Sequence, residues 1–140
     1  MDTVDLKQPE LYNNRLLSLL EFNRRVLEQA KDETNPLMER LKFLCISSTN
    51  LDEFFEIRVA GLKQRIELGV TQTGPDNRTP QEVMKAVSEQ AHALVEEQYR
   101  VLNEVLTPAL AEEGVRFIRR THWSNAQREW LRDYFERELL

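Results

Sequence analysis

The residues most able to do chemistry lie in one stretch, ERLKFLCISSTNLDEFFEIRV, residues 39–59. It joins a polar run, Ser47-Ser48-Thr49-Asn50, to adjacent phenylalanines, Phe54 and Phe55, and to a cation, Arg58. An asparagine amide both donates and accepts, which suits the edge of a purine, as it does for adenine in DNA. A helix beginning behind the run would add free backbone N–H groups. A plainer reading stands beside this one: a corner between two helices needs a cap, and Asn50 can supply it.

Other reactive patterns are absent or isolated. There is no G-x-x-x-x-G-K-[ST] loop and no G-x-G-x-x-G. His92 and His122 have no H-x-x-x-H or H-E-x-x-H context and read as surface histidines. Cys45 lies beside an apolar helix face, with no basic cluster and histidine to activate it, and reads as a buried inert thiol. Glu96-Glu97 reads as helix surface rather than a paired acid and base. No catalytic residue and no metal-ligating set is expected in this chain.

The elements that must hold Asn50 can be read from periodicity and caps. Ser18 and Glu21 form a capping box, followed by an apolar face of Leu20, Phe22, Val26, Leu27 and Ala30. Asn35-Pro36 looks like the next helix start, with Leu37, Leu41 and Leu44 behind it. The polar run at 47–50 predicts an end or kink, because these side chains compete for backbone hydrogen bonds. A third helix then runs from Asn50 to a stop at Gly69, and 70–79 is a loop. Thr79-Pro80-Gln81-Glu82 opens the longest pattern: Val83, Val87, Ala91, Leu94, Gln98, Val101 and Val105. Its near-heptad spacing would suit a coiled-coil partner. Pro108 should kink or end it, and Gly114 should cap it. Val115–Ile118 has strand character with no partner strand in the chain. Trp123, Ser124 and Gln127 then introduce a last helix bearing Trp130, Leu131, Tyr134 and Phe135. That helix reaches Leu139-Leu140 with no stop signal, so the chain reads as cut from something longer.

Composition agrees. Gly is 4 of 140 residues, under half the roughly 7% usual share, which disfavours turn-rich β folds. The expectation is an all-α helical bundle with a long antiparallel helix pair, plus a short strand and a helix that begin another domain. Residues 1–12 read as a flexible lead-in, 13–113 as the helical domain and 114–140 as the truncated start of the next. Nineteen basic against 24 acidic residues give a net charge of −5, which argues against a nucleic-acid partner. Basic residues such as Arg24, Arg25, Lys31, Arg40 and Arg58 do gather in the first half, as an anionic ligand or a solvated face would both allow. No apolar run approaches the ~20 residues of a transmembrane helix, the first ten residues do not resemble a targeting peptide, and the lone cysteine points to an intracellular chain.

The 39–59 stretch resembles the signature of the N-terminal domain of bacterial polyphosphate kinases. Glu39-Arg40-Leu41-Lys42-Phe43-Leu44, Ile46, Ser48, Asn50-Leu51-Asp52-Glu53-Phe54-Phe55 and Ile57-Arg58 stand in the family register. So do Leu17-Ser18, Leu20, Phe22-Asn23, Arg25-Val26-Leu27, Ala30 and Asn35-Pro36-Leu37, while Trp123–Leu140 is similar to the opening of that family's next domain. One departure is Leu19, where the family commonly has Trp; the position stays apolar without an aromatic ring. The resemblance implies a phosphotransferase that moves the terminal phosphate of ATP reversibly onto polyphosphate, with Mg²⁺ and a phosphohistidine intermediate, as a cytoplasmic homo-oligomer able to associate peripherally with membranes. It implies that this domain touches the adenine, with Asn50 as the matching nucleotide-binding residue, and contributes to the dimer contact. It places the catalytic histidines and Mg²⁺-holding groups beyond residue 140. The fragment alone is then expected to be inactive and to hold no cofactor. The alternative is a helical dimerisation module, using the 83–105 stripe, without a nucleotide role.

Overall fold

The structure is a computed structural model and describes residues 5–140. Of the expected lead-in, residues 1–4 lie outside the described residues. The rest holds a single 3₁₀ turn, Pro9–Leu11, with Tyr12 Oη donating to the Leu6 carbonyl at 2.7 Å.

Helix α1, Arg15–Lys31, starts earlier than the Ser18–Glu21 box predicts. Asn14 is the cap: its Oδ1 accepts from the N–H groups of Leu16 and Leu17, and the Ser18 N–H already bonds to the Asn14 carbonyl. A cap one turn upstream wins because Leu16 and Leu17 extend the apolar pattern back to it. Helix α2, Leu37–Glu53, has Pro36 at the capping position instead of inside the first turn. Asn35 does not cap it; its Nδ2 reaches back to the Gln29 carbonyl on α1.

The break expected at 47–50 does not occur: α2 runs straight through. Ser47 is fully buried, and its hydroxyl accepts from Gln98 Nε2 at 2.9 Å. That tertiary bond removes the local competition on which the expected kink depended. Asn50 therefore sits inside α2 and caps nothing. The irregularity comes one turn later, as a π-helical segment, Phe54–Val59, which passes directly into α3, Ala60–Glu67. Gly69, at φ +70, stops this rod as expected, with Gly69 N–H bonded to the Ile66 carbonyl and Val70 N–H to that of Arg65.

After the 70–79 loop, the expected capping box is formed. Glu82 N–H donates to Thr79 Oγ1 at 3.2 Å and Thr79 N–H to Glu82 Oε2 at 2.8 Å, opening α4, Pro80–Arg100. The rod continues through a second π segment, Val101–Leu106, into α5, Thr107–Glu112. Pro108 does not end it. Thr107 N–H takes the wide-turn bond to the Leu102 carbonyl, and this loosened stretch accommodates the proline that a tight α-turn would exclude. Gly114, at φ +85, closes α5.

The two rods form the expected long antiparallel pair, α2–α3 against α4–α5, with α1 laid across α2 and α4. The core is Leu20, Leu27 and Ala30 from α1; Leu44, Leu51 and Phe54; Leu62; Val83, Val87, Ala91 and Leu94; Val101 and Leu106. Phe22 departs from its predicted apolar face and is exposed. The near-heptad stripe of α4 is spent in this core, so its spacing serves an intramolecular partner. Arg40 is buried, with Nε donating to the Ala30 carbonyl at 2.9 Å and Nη2 to that of Lys31 at 3.4 Å. It closes the C-terminal end of α1, where a cation is favoured.

Residues Val115–Ile118 form no strand, and no strand occurs among the described residues. Without a partner the segment has no ladder to join, although Trp123 Nε1 bonds to the Ile118 carbonyl at 3.0 Å. The Ser124–Gln127 capping box opens α6, Asn125–Glu138, none of whose residues is buried.

Candidate functional site

A cleft of about 270 Å³ lies between α1 and the α2–α3 rod. Leu19, Leu20, Phe22 and Asn23 come from α1, Asn50 and Glu53 from α2, and Phe54, Ile57 and Arg58 from the π segment. Helical periodicity puts Ser47, Asn50 and Leu51 of α2 and Phe54 just past it on one face of the rod, so Asn50 rides beside core residues. Leu20 and Phe54 are buried and give the cleft an apolar base, while Asn50 is half-buried. Glu53, Ile57 and Arg58 are exposed. Phe54 and Phe55 meet edge to face at 5.8 Å, with Phe55 outside, and the Arg25 guanidinium lies 5.9 Å from the centre of the Phe22 ring.

The volume falls just below that of common small-molecule sites and suits a flat ring rather than a whole nucleotide. The wall chemistry matches: apolar surfaces for stacking, an amide at the side, a cation outside. Arg58 is in none of the ion pairs among the described residues. Leu19, where the resembled family commonly has Trp, is part of this wall.

Behind the cleft is a buried polar chain. Gln98 of α4 donates to Ser47 Oγ, and Asn23 Nδ2 donates to the Ser47 carbonyl at 2.9 Å. Asn23 is only 4% exposed, and its Oδ1 has no partner among the described residues. The sequence carries a signal for this burial: Asn23 sits three residues after Leu20 and four before Leu27, at a core position. Gln98 stands likewise between Leu94 and Val101.

The structure does not bring the remaining reactive residues to this cleft. His92 is exposed, with Nδ1 2.7 Å from the Ser88 carbonyl oxygen of its own helix, and His122 is exposed in a 3₁₀ turn. Cys45 is exposed rather than buried, because it falls one position past Leu44 and off the inward face of α2. The basic residues of the first half are partly spent: Arg40 on α1, and Lys31 on Glu28 and Glu97 at 2.6 and 2.9 Å. Glu97 also takes a bidentate bond from Arg100, at 2.7 and 2.9 Å, and Arg100 and Lys31 together hold its carboxyl down to about 2. Among the described residues no group of three or more His, Cys, Asp or Glu is placed to hold a metal, and no helix is long and apolar enough to cross a membrane.

Comparison with known proteins adds a family. The model of the polyphosphate kinase N-terminal domain matches residues 12–118. A polyphosphate kinase of Pseudomonas aeruginosa is 54% identical over 129 residues, covering 92% of this chain and 19% of its own. One of Pseudomonas syringae pv. tomato is 52% identical over 135 residues, covering 96% and 18%. The crystal structure of polyphosphate kinase from Porphyromonas gingivalis superposes with a TM-score of 0.73 at 31% identity, over 91% of this chain and 18% of that one. The chain thus spans about a fifth of the length of the relatives it matches.

Proposed function

The chain belongs to the polyphosphate kinase N-terminal domain family, and from that premise we propose that it forms the adenine end of the nucleotide site in a kinase that moves the terminal phosphate of ATP reversibly onto polyphosphate. The observation that carries this reading is the position of Asn50, half-buried in the wall of a ring-sized apolar cleft rather than used as a cap. Leu20, Phe54 and Ile57 would sandwich the base, Asn50 would bond its polar edge, and Arg58 would face the phosphate side.

Phosphoryl transfer needs positioned cations and a nucleophile. Among the described residues no three or more His, Cys, Asp or Glu are grouped to hold a metal, and the family resemblance supports assigning the ion and the chemistry to the rest of a longer chain. The 140 residues alone are expected to show no turnover. The proposed boundary, with the helical domain ending at 113, is supported by Leu110 being the last buried hydrophobic residue among the described residues. The family resemblance supports a cytoplasmic homo-oligomer, but a dimer contact would need a face other than the α4 stripe, whose valines are buried.

The test is Asn50→Ala in the full-length enzyme. One lost hydrogen bond of about 0.5–1.5 kcal/mol should raise the KM for ATP roughly 2- to 10-fold with little change in melting temperature. An unchanged KM in a folded variant would reject the site.

A further inference from the structure

We propose that Asn23 is a second base-reading residue: its Oδ1 accepts a hydrogen bond from the exocyclic amino group of the bound purine. The inference rests on the reading of the cleft as a base site and deepens it.

The argument is one of hydrogen-bond accounting. A carbonyl oxygen only accepts, so the amide group facing the Ser47 carbonyl must be the NH₂. The side chain cannot be flipped without setting two oxygens against each other, and Oδ1 is fixed as an acceptor pointing elsewhere. Almost every buried polar group has a partner, and an orphan needs an explanation. Asn23 Oδ1 is such an orphan among the described residues, and its residue lines the cleft that carries Asn50. The Ser47 end of the bond is itself held, since Gln98 Nε2 grips the Ser47 hydroxyl from α4. Three helices therefore fix one unpaired acceptor on a residue of the cleft lining.

The missing partner must donate. Oδ1 exposes essentially no surface to solvent, so the donor arrives on a ligand that shifts the apolar lining aside. Of the groups on a purine edge, the 6-amino group of adenine is a donor, whereas a 6-oxo base bound in the same pose would set oxygen against oxygen. The free protein already leaves Oδ1 unpaired, so discrimination should be moderate, unlike sites whose polar groups lose solvent partners on binding the wrong analogue.

The experiment uses the full-length polyphosphate kinase carrying this domain. It compares kcat/KM for ATP, for inosine triphosphate and for purine riboside triphosphate, which lacks the 6-substituent. The wild type should prefer ATP over purine riboside triphosphate by about 3- to 10-fold, and over inosine triphosphate by at least as much. In Asn23→Leu, ATP should lose that factor while purine riboside triphosphate changes less than about two-fold, so the preference collapses. A folded variant that keeps the wild-type preference overturns the proposal, as does a wild type with no preference. Should Asn23→Leu not fold, Asn23→Ser, which also withdraws Oδ1, carries the same expectations. If Asn50→Ala raises the ATP KM while the Asn23 preference ratio stays fixed, only the role of Asn23 falls. If neither substitution moves any nucleotide parameter, the base site itself falls.

Discussion

Replacing Glu97 by Gln should remove a pH-dependent clamp between α1 and α4. Glu97 binds Lys31 of α1 and Arg100 of its own helix, and its pKa is held at about 2 against a usual 4.5. That gap sets a ceiling of about 3 kcal/mol on its contribution at neutral pH. The side chain is 25% exposed and Arg100 is more open still, so solvent and salt reduce this to about 1–2 kcal/mol. Gln keeps the shape and one acceptor but not the charge. At pH 7 the variant should lose that amount in urea denaturation of the 140-residue chain followed by circular dichroism, or roughly 3–8 °C in Tm. The sign follows from the depressed pKa. The contribution is full above pH 4.5 and is lost as pH falls through about 2. The difference between wild type and variant should drop below half its neutral value by about pH 3 and nearly vanish by about pH 2. Lys31, whose pKa is raised above 10.5 by bonds to Glu28 and Glu97, limits the other side, its contribution fading only in strong alkali. A difference that stays constant from pH 7 to pH 3 would refute the clamp.

The remaining expectations concern packing and access. Leu27 is fully buried where α1 meets the core, so Leu27→Ala should cost about 3–5 kcal/mol in the same urea titration, and a loss under about 1 kcal/mol would mean that α1 is not docked as described. Cys45 is exposed on α2, so one equivalent of a maleimide should label the native chain without denaturant; labelling only after unfolding would return the thiol to the interior.

Features settled by near neighbours were mostly legible in the sequence, although the Ser18–Glu21 box gave way to Asn14 and Asn35 does not cap α2. The Thr79–Glu82 and Ser124–Gln127 boxes and the stops at Gly69 and Gly114 rest on chemistry within one turn, and each formed as read. Features settled by a distant partner were not. Ser47 looks like a helix breaker until Gln98, 51 residues away, takes its hydroxyl. Pro108 looks like a kink or a stop, and the helix passes it because the preceding turn widens. Phe54 and Phe55 differ only in which one the α1 side of the rod buries. Asn50 is marked both by its amide chemistry and by the family pattern, and it stands in the cleft; the plainer reading, a helix cap, fails because α2 runs on past it. Asn23 carries a plain physical signal, a polar side chain in an apolar stripe.

The π segment ties these observations together. In an unbroken α-helix Ile57 and Arg58 would share the face of Phe54, three and four positions on, and that face is in the core. Here Phe54 is buried while Ile57 and Arg58 stand open. A π turn widens the coil at this point, and such turns gather at functional sites because they spend regular backbone bonding to re-aim side chains. The turn begins at Phe54, one residue after α2 ends and four after Asn50, where the rod runs past the first half of α1. Continuous core on one side and an opened recess on the other both follow from that single irregularity. A local repair of the helix that restored α-bonding through Phe54–Val59 would thus be expected to close the cleft while leaving the core packing of Leu44, Leu51 and Leu62 in place.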